Sequence, residues 1–181
     1  MGGTSYTSHN LKQMRRTLLI LTLSLPLLSA CASGGGGMRP RYDASEGESN
    51  VEQVILQTPE GVRMTARYSW QGRGAPAPAQ NALLSFDAPR GGTDSQWRTN
   101  NQLQVTVDGQ RARYNGRYST GQGERGSENV LYQIPITDLS VIADATRVEG
   151  RIGRREFVLE RAELARLRAF VAYVRGGGGG E

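Results

Sequence analysis

From Val62 to Trp70 the chain alternates strictly: Val62, Met64, Ala66, Tyr68 and Trp70 are apolar, and Arg63, Thr65, Arg67 and Ser69 between them are polar. A period of two is the pattern of a β-strand with one buried face. Leu103, Val105 and Val107 repeat it and run into Asp108-Gly109, a dipeptide that accepts positive φ and so marks a hairpin. A weaker strand from Val51 to Thr58 ends at the turn Pro59-Glu60-Gly61. The stretches NALLSF (81–86), NVLYQIPI (129–136) and VEGRIGRREFVLE (148–160) supply at least four more, the last folding back near Gly153-Arg154. The pattern predicts seven or eight short antiparallel strands.

The period lengthens at the C-terminal end. From Arg161 to Arg175 the residues Leu164, Leu167, Phe170, Val171 and Val174 share one side of a helix. Leu167 is expected in the core and Arg168 on the solvent face. Arg175 suits the negative end of the helix dipole and Gly176 the C-cap. A shorter helical turn is expected from Thr137 to Ala145, carrying Leu139, Ile142 and Ala143. The fold class that follows is mainly β: an antiparallel β-sandwich or curled sheet with a C-terminal helix packed against it.

The N-terminal apolar run is different in kind. Thr17 to Ala30 would measure about 21 Å as a helix, short of the roughly 30 Å a membrane span needs, and Pro26 interrupts it. Arg15 and Arg16 before it and small residues after it complete the three parts of a secretory signal peptide. Met14 is the expected start of that leader, and the arginine pair reads as an ordinary positive region, only partly like a twin-arginine signal. The run ends on Leu28-Ser29-Ala30-Cys31, which resembles the lipobox of bacterial lipoproteins. The resemblance implies that the Cys31 thiol takes a diacylglycerol, that the peptidase cuts before it, and that the new amino group is acylated, for instance with palmitate. A thiolate is the one side chain here nucleophilic enough for that alkylation. Two or more acyl chains give stable membrane anchoring. Ala32 follows, not the Asp associated with inner-membrane retention, so the expected address is the outer membrane facing the periplasm. In a monoderm host it is the outer face of the cytoplasmic membrane.

Composition then divides the chain: residues 1–30 as signal peptide, 31–50 as lipidated cysteine and flexible tether, 51–175 as one β-rich domain, and 176–181 as a disordered glycine tail. Gln71 to Gln80, rich in Gly, Ala and Pro, is expected to be irregular, and Ser119 to Gly126 to be a mobile hairpin loop. The chain carries 22 Lys plus Arg against 17 Asp plus Glu, a formal charge of +5. Without Lys12, Arg15 and Arg16, the part after the leader has 19 arginines, no lysine and 17 acids. Basic and acidic residues interleave along it, which argues against nucleic acid as a partner.

The one histidine, His9, precedes the leader, so the domain has no imidazole for Ser-His or Cys-His catalysis, no His-ligated zinc and no free thiolate. No catalytic residue, metal or cofactor is assigned. Trp97 stands in the polar stretch Thr93 to Asn101 beside Arg98, Asn100 and Asn101, a set that suits stacking and hydrogen bonding to a glycan or peptide, with Trp70 and Tyr118 as extensions. The other reading of Trp97 is a plug at the sandwich edge. The expected function is a lipid-anchored, non-catalytic binding or assembly module whose partners are the membrane and a cell-wall glycan or envelope protein. The alternative is a carboxylate-based glycan hydrolase drawing on Asp87, Asp94, Asp108, Glu124 or Glu128.

Overall fold

The structure, a computed structural model, describes residues 38–89, 96–121 and 126–176. The leader, Leu28, Ser29, Ala30 and Cys31 of the lipobox, Asp94, Glu124 and the tail from residue 177 lie outside the described residues. Two antiparallel sheets make up the domain. From edge to edge, the six-stranded sheet consists of β1 (Arg41–Asp43), β2 (Glu48–Gln57), β3 (Arg63–Gln71), β4 (Asn81–Pro89), β8 (Ser127–Pro135) and β7 (Arg117–Gly121). The four-stranded sheet consists of β10 (Arg155–Leu159), β9 (Val148–Ile152), β5 (Gln102–Val107) and β6 (Gln110–Asn115). Among the described residues three helices accompany them: α1 (Gln96–Thr99), α2 (Ile136–Asp144) and α3 (Arg161–Arg175).

The alternation does what it predicts. Leu103, Val105 and Val107 of β5, Leu84 and Phe86 of β4, and Val130, Tyr132 and Ile134 of β8 are all buried. Phe86 meets Tyr132 edge-on at 5.8 Å and lies 5.2 Å from Phe157 of β10, so one aromatic cluster ties the two sheets together. Phe157 in turn lies over Gly150, its partner in register, where a Cβ would overlap the ring. The β5–β6 hairpin turns through Asp108 and Gly109, φ 46° and 86°, the two positive values a type I′ turn requires. Asp108 in turn accepts a hydrogen bond from the Thr146 hydroxyl.

Between β6 and β7 the chain leaves one sheet for the other at Gly116. A Cβ there would meet the Val130 and Tyr132 side chains and the Asn101 carbonyl, so only glycine fits the crossing. In β2 the register slips between Val54 and Leu56, which makes Ile55 the extra residue of a bulge. Its carbonyl, freed from the ladder, accepts a hydrogen bond from Arg166 of α3 at 2.9 Å. The helix starts on a reciprocal capping box between Glu160 and Glu163 and buries the five apolar residues expected of it.

Two expectations are corrected. The tether does not run to residue 50: β1 pairs with β2 from Arg41↔Asn50 to Asp43↔Glu48, and Met38 packs against the core. The polar segment between them is a hairpin loop, in which Asp43 accepts hydrogen bonds from the Ser45 amide and hydroxyl. Arg168 lies on the solvent face, as expected, and makes contacts there. It donates to the Ala143 carbonyl at 2.7 Å and to Asp144 at 3.2 Å, satisfying the end of α2. The stretch around Trp97 is not all loop, since α1 forms there as a single turn. Helix α3 does end at Gly176, with φ −80° and no left-handed residue.

Candidate functional site

Trp97 is the largest fully buried side chain among the described residues, with 0 % of its surface exposed. That removes it as an open stacking platform. A turn of helix carries it inward, and the residues that follow fasten the chain behind it. Asn101 donates from its side chain to the Gly116 carbonyl, and the Tyr132 hydroxyl donates to the Asn101 carbonyl, each at 2.9 Å. Asn101 thus braces the sheet crossing and is half-buried. Arg98 on α1 and Asn100 just after it stay exposed. The four residues expected to form one binding patch therefore divide into a core ring, a brace and two surface side chains.

Against the Trp97 ring lies a cavity of about 180 Å³ between the sheets. Val62, Phe86, Ile152 and Phe157 give it apolar walls, and Thr58, Glu60, Arg155 and Glu156 complete the lining. The Arg155 guanidinium stands 5.7 Å from the centre of the indole. A hydrogen bond from the Thr58 hydroxyl, then one from the Glu60 amide, and then the Arg155 charge hold the Glu60 carboxyl below the usual carboxylate range. One arginine and two glutamates thus belong to the same lining. The indole Nε1–H is buried and has no acceptor among the described residues. Most buried donors have one, so this orphan requires an explanation.

Arg155, Glu60, Thr58 and Phe157 were not singled out from the sequence. They come from the β2–β3 turn and from β10, far apart in the chain. One signal was legible: Arg155, Phe157 and Leu159 share parity, which puts a cation on the inward face of a strand. The proposed extensions lie elsewhere. Trp70, half-buried on β3, stacks on Tyr68 at 5.9 Å and donates to the Gly74 carbonyl, and Tyr118 sits on β7.

The carboxylates of the hydrolase alternative do not gather. Asp87 lies on the outer face of β4 and accepts a hydrogen bond from Asn129 at 2.7 Å, whereas Glu128 is buried with the inward-facing residues of β8. Those two are on opposite faces of one sheet. Asp108 belongs to a hairpin turn of the other sheet, and no group of three potential metal ligands occurs among the described residues. Comparison of the chain with models of known protein families, with characterised proteins and with solved structures finds no match.

Proposed function

We propose that the chain is a lipid-anchored bacterial envelope protein whose β-rich domain binds without catalysing, with the Trp97 cavity as its ligand seat. One observation carries the seat: Trp97, whose buried indole N–H has no acceptor among the described residues, lines an apolar-walled space. Leaving such a donor unpaired costs about 1–3 kcal/mol, which a ligand oxygen placed in the cavity would recover. Cavities of about 150 Å³ accept a benzene-sized molecule, so the ligand group is of side-chain size. It is apolar, carries one acceptor oxygen, and has its polar end oriented by Arg155 and Glu60. The anchor rests on the Leu28-Ser29-Ala30-Cys31 lipobox, which brings the domain to the membrane surface through the Cys31 lipid.

The two halves have separate tests. Cys31→Ser is expected to leave an unprocessed precursor that incorporates no labelled fatty acid, and normal labelling of that variant would refute the anchor. For the seat, benzamide is expected to raise the melting temperature of the wild-type protein more than toluene does. Trp97→Phe should keep the toluene response and lose the difference. Equal shifts with both compounds in the wild type would refute a role for the indole donor.

A further inference from the structure

The geometry points to a second binding face, on the solvent side of the four-stranded sheet, built for an acidic saccharide. Strand parity puts Leu103, Val105 and Val107 inward and so turns Gln104 and Thr106 outward. Register then aligns two polar rows across the sheet. Arg113, Gln104, Arg151 and Glu156 form one, and Arg111, Thr106 and Glu149 the other. These side chains line a concavity of about 610 Å³.

The charge on this face is graded. At the β6 edge Arg111 and Arg113 are exposed, and among the described residues neither has an ion-pair or hydrogen-bond partner. Their Cα atoms are about 7 Å apart along the strand, and Arg113 lies two strands, about 10 Å, from Arg151. Arg151 is already aimed inward along its row by a 3.0 Å hydrogen bond to the Gln104 side chain. Three guanidinium groups therefore reach the space above Gln104. A carboxylate or a phosphate satisfies such forks by paired hydrogen bonds.

Towards β10 the charge is mixed. Glu149 and Glu156 offer acceptors there beside Arg147 and Arg151, with Glu149 paired to Arg147 at 3.3 Å. A continuous polyanion, such as a nucleic acid, would have to pass over those two carboxylates. A sugar chain with one acidic group matches both halves: the acid at Arg111 and Arg113, and hydroxyls donating to the two glutamates and to Gln104. This face does not depend on the Trp97 cavity or on the anchor.

The test is calorimetric titration of the full-length protein in detergent micelles. The probes are a tetrasaccharide of three neutral sugars and one terminal glucuronate, glucosamine 6-phosphate, neutral chitotetraose, phosphatidylglycerol added to the micelles, and duplex DNA. The uronate or the sugar phosphate is expected to bind, and which of them does identifies the acid; chitotetraose is not. Arg111→Gln with Arg113→Gln should weaken that binding by at least about tenfold. The pair Arg63→Gln and Arg117→Gln, removing the same charge from the other sheet, should change it by less than about twofold. Coincident melting curves confirm that both double variants fold. The proposal is overturned if neither acidic sugar binds, if chitotetraose binds equally well, or if both double variants weaken binding alike. Tighter binding of phosphatidylglycerol or DNA through Arg111 and Arg113 would overturn it too.

Discussion

Leu167 and Arg168 are neighbours in α3 and stabilise the domain by different means. Leu167 is fully buried, so Leu167→Ala removes apolar contacts and leaves a cavity, at a cost of about 2–5 kcal/mol by denaturant unfolding. Arg168 is half-exposed and holds the end of α2. Its replacement by Ala leaves the Ala143 carbonyl to water, at a cost of about 1 kcal/mol, more than an idle surface residue would give. Tyr114 supplies a pH dependence. Burial, then the hydrogen bond to Asp138 and the charge of that carboxylate, push its hydroxyl from 10.0 up to about 12. Between those values the unfolded chain has lost the proton and the folded chain keeps it. Stability is therefore full below pH 10 and falls as pH rises towards 12. Tyr114→Phe is expected to flatten that alkaline decline in melts run from pH 9 upward. Part of the slope should persist, because burial also raises Tyr132.

At the scale of elements, the N-terminal hairpin is the part that composition conceals. A run of Gly, Ser, Asp and Glu marks a disordered tether and a β-turn equally well, and only pairing distinguishes them. Deleting residues 38–43 from the full chain takes away β1 and the Met38 contact. The expected cost is about 1–3 kcal/mol from the lost edge hydrogen bonds and packing, read as a lower urea midpoint. No loss of stability would mean that β1 is an ornament on the sheet. The one-turn helix α1 is concealed for a related reason. Its four residues are too few to show a period, and it is held by Trp97 and the Asn101 brace, not by helix propensity.

At the scale of the molecule, the Phe86, Tyr132 and Phe157 cluster makes one core of two sheets. Trp97 sits in that core, so in a Trp70→Phe background its fluorescence follows the meeting of the sheets while circular dichroism follows the strands. The two signals are expected to change together in urea, as for a cooperative single domain. Separate midpoints would mean that the four-stranded sheet detaches first.

Strand and helix positions were legible in the chain because periods of two and 3.6 follow from local backbone geometry, which neighbouring residues alone determine. The hairpin at Asp108-Gly109, the core face of α3 and the lipobox expectation at Cys31 are all of this local kind. Tertiary structure alone decided that Trp97 turns inward, and that Arg155, Glu60 and Phe157 surround the same cavity. It also decided which interleaved charges become neighbours on the sheet, with Arg111 and Arg113 at one edge and Glu149 and Glu156 beside Arg147 and Arg151 towards the other. The physical reason is register. Which polar positions become neighbours depends on how distant strands align, and that alignment is set by the packing of the whole core.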